Sequence, residues 1–274
     1  MGTFPYLDIE QVLKQQLPNV TVPRPAIWLM KKLIHQDWMN RMLRDYNGGA
    51  GMEFAHATVR YLNETIVPHG FDKLDASKKY IFVSNHPLGG PDGITMATVL
   101  DRKWHGVKFL VNEFLYYLIP LRPLIVPVKM GGGTQKREQA IAVDQALRGD
   151  DQFIIFPSGQ CSRFHFGSGI RDREWKKSFI SFATKYHRDV VPCYYDGRNH
   201  FGFYALSWLR THLGIKLNLE MTLLIHEMYR NQGKTFNVYF GDPIPWQELA
   251  QARNPMAKAA QIRSLVYDLP KQKK

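Results

Sequence analysis

Residues 80–93 read YIFVSNHPLGGPDG, and this stretch decides the fold class of the chain. Its first part, residues 80–84, is a short apolar run that predicts a buried β-strand. The loop that follows contains two glycines and two prolines, which favour a tight turn with a largely fixed backbone. Residues 94–101 then predict a helix. A buried strand that leads through a turn into a helix is typical of α/β proteins.

The same alternation of strand and helix patterns continues along the chain. Residues 134–147 predict a helix that begins with Thr134 as its N-cap and stops before Gly149. Further strands are predicted at residues 107–111, 124–128, 153–156, 190–195, 222–227 and 235–241. We therefore expect an α/β domain over residues 71–274, with a mostly parallel central sheet flanked by helices. Residues 1–70 are expected to form an N-terminal helical segment.

Within that segment, apolar residues recur at helical spacing between residues 25 and 44. Ile27, Met30, Ile34 and Trp38 share one stripe, which predicts a single amphipathic helix. Basic side chains lie beside the stripe. Such a helix either packs on the domain core or lies in the surface of a membrane, and the sequence leaves both interpretations open.

Charge and composition limit the class of protein. The 36 Lys and Arg residues outnumber the 24 Asp and Glu residues, which gives a net charge of +12 and favours nucleic acid, anionic lipid headgroups or acidic substrates as partners. The longest uncharged piece of the most apolar region covers residues 114–121, whereas a spanning helix needs about 20 residues. Cys161 and Cys193 do not make a disulfide framework, and the histidines lack metal-ligand spacing. No signal peptide is evident, so we expect a cytoplasmic protein without a metal.

The loop after the first strand contains a pair of residues that can do chemistry. His86 follows the strand, and Asp92 comes six positions later, beyond the glycines and prolines. A neutral imidazole can take the proton of an alcohol while the alcohol attacks a carbonyl. A carboxylate that folds back to the imidazole fixes its tautomer and stabilises the imidazolium that forms. The helix that follows can offer free backbone amides to an oxyanion.

Four segments in this order resemble the motifs of the glycerolipid acyltransferase family, of the lysophosphatidic acid acyltransferase type. SNHPLGGPD supplies the first motif with Asn85, His86 and Asp92, although five residues separate His86 from Asp92 where the family has four. IPLRPLIVPVK at residues 119–129 is similar to the second motif. FPSGQCSR at residues 156–163 is similar to the third, with Ser158 at the position of the usual Glu, and residues 190–192 (VVP) fit the fourth.

The resemblance implies an enzyme of lipid and phospholipid biosynthesis that moves an acyl group from acyl carrier protein or coenzyme A to the hydroxyl of a lyso-lipid. It implies His86 as general base with Asp92, no bound cofactor, no nucleic acid, and a peripheral location on the inner face of the cytoplasmic membrane. The sequences of these motifs are similar to those of a bacterial branch of the family that acylates lyso-ornithine or glycine lipids. The acceptor of that branch carries an amino-acid carboxylate. The implied substrate-binding residues are Asn85, Gly89, Gly90, Arg122, Lys129, Ser158, Gly159, Ser162 and Arg163.

Several alternatives stay open at this point. A non-catalytic basic protein that binds nucleic acid or membranes fits the charge, and a lipid hydrolase with the same His86 fits the motif. Cys161 lies in the third motif and offers a thiol nucleophile as a less favoured route. The mixed-charge residues 171–177 are most simply the solvated start of a helix. Arg163 is expected to bind the anionic group of the acceptor.

Overall fold

The computed structural model describes residues 8–16, 21–46, 49–112, 119–128, 137–214 and 219–273. A seven-stranded sheet occupies the centre. Its strands are β1 (Thr65–His69), β2 (Tyr80–Ser84), β3 (Val107–Asn112), β4 (Ile125–Val128), β5 (Gln152–Ile155), β8 (Asp189–Asp196) and β9 (Thr235–Phe240). They lie side by side in the order β1-β9-β8-β2-β5-β3-β4. Neighbouring strands pair in parallel except β8 and β9, which are antiparallel. The predicted fold class, α/β with a mostly parallel sheet, is confirmed.

Helices and one small hairpin surround this sheet. The hairpin consists of β6 (Arg163–His165) and β7 (Gly169–Arg171). Short 3-10 helices cover Phe71–Lys73, Ile119–Leu124, Leu219–Leu223 and Leu269–Lys273. The α-helices are α1 (Ile9–Gln16), α2 (Arg24–Leu33), α3 (Gln36–Asp45), α4 (Met52–Tyr61), α5 (Pro91–Leu100), α6 (Arg137–Arg148), α7 (Ser178–Tyr186), α8 (Phe201–His212), α9 (Leu224–Arg230), α10 (Trp246–Ala250) and α11 (Pro255–Asp268).

Strand β2 is the middle strand of the sheet, and every one of its side chains is buried. Successive side chains of a strand point to opposite faces of the sheet. Tyr80 and Phe82 accordingly join the core beneath α4 and α5, whereas Ile81 and Val83 join the core beneath α6, α7 and α11. Burial on both faces is the physical reason that the sequence of β2 is a continuous apolar run instead of an alternating one.

The predicted single helix over residues 25–44 is wrong. The chain breaks it into α2 and α3 at His35, which adopts a left-handed backbone conformation with φ of 47°. The two halves also differ in burial, since α3 buries Met39 and Met42 whereas α2 buries none of its residues. Trp28 and Leu29 on α2 are more than half exposed. Of the two interpretations of this segment, packing on the core therefore holds for α3, whereas α2 has an exposed apolar face.

Two other elements differ from expectation. The strand predicted at residues 222–227 is wrong, because this segment forms the end of a 3-10 helix and most of α9. Strand β1 was not predicted, and it lies within the first 70 residues and pairs with β9, so the sheet draws on that segment as well. The helix predicted from residue 134 begins as α6 at Arg137 in the described chain, and its expected cap, Thr134, lies outside the described residues.

Candidate active site

The candidate active site begins where β2 ends. The last paired residue of β2, Ser84, lies opposite Cys193 of β8. Asn85 then donates from Nδ2 to the carbonyl of Tyr195 at 2.9 Å and accepts from its amide at Oδ1 at 2.7 Å. Asn85 was expected to bind substrate, but both ends of its buried amide are engaged by the main chain of β8. Its side chain instead fixes the starting point of the loop that carries His86.

His86 and Asp92 meet despite the extra residue between them. Asp92 lies in the first turn of α5, is fully buried, and has its Oδ2 at 3.0 Å from Nδ1 of His86. The amides of Leu88, Gly90 and Gly93 donate to the two carboxylate oxygens over 2.9–3.1 Å. The loop therefore wraps around the carboxylate, and the glycine pair accommodates the longer spacing. Because an ionised carboxylate only accepts hydrogen bonds, Nδ1 carries the proton of the neutral imidazole, and Nε2 then has the lone pair.

The charges of the site stabilise the ionised pair. Burial lowers the pKa of the His86 imidazole, but the carboxylates of Asp92 and Asp172 together outweigh burial and hold that pKa above its ordinary value. Burial raises the pKa of Asp92, and the imidazole and the loop amides lower it by more, so the carboxyl is ionised at neutral pH. The ring of His86 stacks on Phe156 at 4.0 Å between ring centres, and 15% of its side chain stays exposed. Asp92 and Phe156 therefore orient the imidazole from two sides, and part of the ring remains accessible to solvent.

A second carboxylate, Asp172, supports the same loop and was missed in the sequence. Its Oδ1 accepts from the main-chain amide of His86 at 3.2 Å and from the hydroxyl of Ser162 at 2.6 Å. Its Oδ2 accepts from Trp175 at 2.9 Å. The prediction of a solvated helix start over residues 171–177 is therefore wrong for Asp172 and Trp175, which are both buried. A tryptophan within a run of charges was the signal that this segment turns inward.

Ser162 ties the third motif to the first. Its amide donates to the carbonyl of His86 at 2.8 Å, and its hydroxyl is engaged by Asp172. Ser162 was expected to contact substrate, but it is buried and holds the two loops together. Ser158, at the position of the usual Glu, donates from its hydroxyl to the carbonyl of Gln160 at 2.6 Å.

Arg163 has a different set of partners from those expected. Its guanidinium donates to Glu220 at 2.8 Å and to the carbonyl of Cys161 at 2.7 Å, and it is almost completely buried. Glu220 also accepts from Arg210 at 2.8 Å. A guanidinium held this way has little capacity left for a ligand, although its Nε has no hydrogen-bond partner in the described part of the chain. The structure thus places Arg163 in a buried ion-pair network.

The backbone amides expected to bind an oxyanion are partly occupied. The amide of Gly90 donates to Asp92 at 3.1 Å, and the amide of Gly159 donates to the carbonyl of Phe156 at 2.9 Å. Gly89 adopts φ of +79° and lies so close to Leu224 and Cys161 that a Cβ there would come within 3.2 Å of both. Within the described residues, the Gly89 amide makes no hydrogen bond to protein.

The remaining predicted residues lie elsewhere. Arg122 is exposed in the 3-10 helix that precedes β4, next to Pro123, whose carbonyl accepts from Lys108 near the start of β3. This position is at the amino ends of the parallel strands, at the opposite edge of the sheet from His86. Lys129 lies outside the described residues. Burial raises the pKa of the Cys161 thiol, which disfavours the thiolate that a nucleophilic cysteine needs.

Comparison with known proteins assigns the class of this protein. The chain belongs to the acyltransferase family, since the model of that family matches residues 11–272. It is 40% identical over 266 residues to the lyso-glycine lipid O-acyltransferase of Bacteroides thetaiotaomicron, a match that covers 96% of this chain and 97% of that protein. It is 38% identical to the protein of the same name from Phocaeicola vulgatus, over 96% of this chain and 95% of that one. The resemblance to lyso-lipid acyltransferases is confirmed, and the chain is an O-acyltransferase.

Among solved structures, the 1-acyl-sn-glycerophosphate acyltransferase PlsC of Thermotoga maritima aligns with a TM-score of 0.48 and 14% identity, covering 98% of this chain and 90% of that chain. Within the described residues, none of the helices combines the length and the apolar character that crossing a bilayer requires.

Proposed function

We propose that this acyltransferase moves a fatty acyl group from an acyl thioester to the hydroxyl of a lyso-glycine lipid at a membrane surface, with His86 as general base. The observation that carries the proposal is the 3.0 Å contact between His86 Nδ1 and the buried carboxylate of Asp92 at the carboxyl end of β2. Ligands of open α/β sheets bind beyond the carboxyl ends of the strands. The identity to two lyso-glycine lipid O-acyltransferases supports the choice of acceptor.

The mechanism follows from the tautomer of His86. Its Nε2 accepts the proton of the acceptor hydroxyl while that oxygen attacks the thioester carbonyl. Asp92 stays ionised and stabilises the imidazolium. The tetrahedral intermediate then breaks its carbon–sulfur bond, and the imidazolium returns the proton to the leaving thiolate. The new ester and the free thiol account for all atoms, and the base is regenerated.

The oxyanion of the intermediate needs a donor close to His86. Of the three glycine amides considered above, those of Gly90 and Gly159 already have acceptors in the protein. We propose the amide of Gly89, which belongs to the same loop and makes no hydrogen bond to protein within the described residues. Preorganised amides of this kind stabilise a developing negative charge without any rearrangement.

The chemistry of a glycine lipid defines which hydroxyl reacts. Glycine has no hydroxyl of its own, so the accepting hydroxyl belongs to the chain that is already attached. A chain attached through the nitrogen of glycine leaves an amide and a free carboxylate. The acceptor is therefore an anion, which fits the net charge of +12 of the enzyme.

The location at a membrane surface is proposed from α2. Trp28, Leu29 and Leu33 are exposed on this helix, between 40% and 62% of their surface, and Arg24 and Lys32 accompany them. Helices of this composition lie at the lipid interface, where basic side chains are attracted to anionic headgroups. We propose the inner face of the cytoplasmic membrane, where acyl carrier protein or coenzyme A thioesters provide the donor.

The test is an acyl-transfer assay with labelled acyl thioester and purified His86→Ala. We expect transfer to the lyso-lipid to fall to background while circular dichroism remains that of the unchanged protein. His105→Ala, which removes an exposed imidazole outside the site, should retain full activity. Retained turnover in His86→Ala contradicts the assignment of the base. Release of free fatty acid by the unchanged enzyme, without diacylated product, supports the hydrolase alternative instead.

A further inference from the structure

A cleft of about 710 Å³ lies among the β6–β7 hairpin, α8, α9 and the residues that follow β8. Its wall includes Asn199, whose Nδ2 donates to the carbonyl of Pro87 at 3.1 Å, one residue beyond the proposed base. Arg198 follows the carboxyl end of β8, the strand that neighbours β2. Lys234 precedes β9, which runs antiparallel to β8 and so begins at the same edge. Because β8 runs parallel to β2, these residues lie at the same end of the sheet as His86.

Three cationic side chains border this cleft, which we call the β8–β9 cleft. They are Arg198, Arg230 and Lys234, and all three are exposed. Within the described part of the chain, Arg198 and Arg230 take part in no ion pair, and Lys234 donates to Oδ1 of Asn231 at 2.8 Å. Glu227 also borders the cleft, but its Oε2 is engaged by the amide of His200 at 2.6 Å. The excess of positive charge favours an anionic ligand.

Two buried amide side chains in the wall each have one end without a protein partner. Oδ1 of Asn199 and Nδ2 of Asn231 make no hydrogen bond within the described chain, and these residues are only 4% and 2% exposed. The identity of each end is fixed by the partner of the other end. Nδ2 of Asn199 faces the carbonyl of Pro87, and Oδ1 of Asn231 faces the ammonium of Lys234. Each residue therefore contributes to the wall a buried amide with one unpaired end, an acceptor in Asn199 and a donor in Asn231.

The rest of the cleft is apolar. Phe164 and Phe166 of the β6–β7 hairpin and Phe201 and Trp208 of α8 line it, and all four are exposed to solvent. Its volume lies within the range of small-molecule sites, about 300–1,000 Å³. A ligand that matches these features has a carboxylate, a secondary amide with one N–H and one carbonyl, and a hydrocarbon chain.

We infer that the β8–β9 cleft binds the N-acylated glycine end of the acceptor. Arg198, Arg230 and Lys234 hold the carboxylate, Oδ1 of Asn199 accepts from the amide N–H, and Nδ2 of Asn231 donates to the amide carbonyl. The chain of the acceptor lies along the aromatic wall. This inference rests on the proposed function, and it replaces Arg163, which Glu220 already engages, as the site of the acceptor's anionic group.

The first experiment measures binding of N-(3-hydroxydecanoyl)glycine to the full chain by calorimetry, without acyl donor. We expect the triple variant Arg198→Gln, Arg230→Gln, Lys234→Gln to bind at least about tenfold more weakly, since each exposed charge contributes modestly. Arg253→Gln, which removes an exposed cation between α10 and α11, should leave the affinity unchanged. Equal affinities of the triple variant and the unchanged chain overturn the inference.

Two analogues of the probe test its carboxylate and its amide N–H separately in the unchanged protein. The methyl ester of the probe lacks the carboxylate charge, and N-(3-hydroxydecanoyl)sarcosine lacks the amide N–H. We expect both to bind more weakly than the probe. The triple variant should no longer distinguish the ester from the acid but should still distinguish the sarcosine analogue. An ester that binds the unchanged protein as well as the acid contradicts a carboxylate site.

Steady-state kinetics then separate this inference from the proposed function. We expect the triple variant to raise KM for the acceptor at least about tenfold and to leave KM for the acyl donor unchanged. A rise in KM for the donor alone means that the cations hold donor phosphates, and the inference is wrong. If the probe binds through the three cations but is never acylated, the cleft stands and the proposed function fails. If the probe is acylated equally well by the triple variant, the function stands and the cleft is not its site.

Discussion

Glu64 is a buried carboxyl whose cost to stability can be measured. It lies directly before β1, is 9% exposed, and neither of its carboxyl oxygens has a hydrogen-bond partner in the described chain. Burial, with a smaller contribution from the charge of Asp92, raises the pKa of Glu64 from 4.5 to about 7. The replacement Glu64→Gln keeps the size of the side chain and removes the ionisation.

The size and the sign of the effect of Glu64→Gln on the free energy of unfolding follow from the pKa of Glu64. The difference between 4.5 and about 7 corresponds to about 3 kcal/mol, at about 1.4 kcal/mol for each tenfold change in equilibrium constant. The folded state binds the proton of the Glu64 carboxyl more tightly than the unfolded state. The protonated carboxyl therefore contributes stability that is fully present below pH 4.5 and is lost as pH rises through 7. We expect Glu64→Gln to stabilise the protein by about 3 kcal/mol at pH 8 and by less than about 1 kcal/mol at pH 5.

The assay is urea denaturation of both proteins at the two pH values, followed by circular dichroism. Glu174→Gln, which removes an exposed carboxylate, serves as control and should change stability little at either pH. If the difference between the unchanged protein and Glu64→Gln is the same at pH 5 and pH 8, then Glu64 does not titrate in this range and the reasoning is refuted.

Two further predictions concern the supports of the site. His86 must be neutral to act as a base, and the nearby carboxylates hold its pKa above the ordinary value of 6.5, so kcat/KM should fall as pH is lowered through a midpoint above 6.5. Asp172→Asn removes one of these carboxylates and should shift that midpoint downward. An unshifted profile contradicts the contribution of Asp172. Glu220→Gln leaves Arg163 and Arg210 without their buried counter-charge, so unfolding should require about 3 kcal/mol less. Glu248→Gln breaks an exposed pair and should cost less than about 1 kcal/mol, and equal effects of the two changes contradict a buried network.

The parts of the site that the sequence predicts are those whose contacts are local. His86 and Asp92 are six residues apart, and the glycines and prolines between them are themselves the signals of a tight turn. The continuous apolar sequence of β2 likewise indicates that this strand is buried on both faces. Where the pattern was ambiguous, as at residues 222–227, tertiary packing decided in favour of a helix, because a short apolar run fits either structure.

The parts that the sequence did not predict depend on distant partners. Asp172 contacts the amide of His86 across 86 positions of the chain, and Arg163 contacts Glu220 across 57. No spacing rule connects residues that far apart, so a charged residue is assigned to the surface by default. The motif containing Arg163 was correctly located beside His86, but the neighbour that decides what Arg163 does lies in a different part of the sequence.

Strand order places the proposed base and the β8–β9 cleft on different elements of the fold. The base and its carboxylate depend on β2, α5 and the support of Asp172, which form one hydrogen-bonded unit. The β8–β9 cleft depends on side chains that follow β8 and precede β9, and it meets that unit through Asn199 and Pro87. We therefore expect substitutions at Arg198 or Lys234 to alter anion binding in the cleft without disturbing the His86–Asp92 geometry. Arg163 lacks this freedom, because any change there leaves Glu220 with one fewer partner in the protein interior.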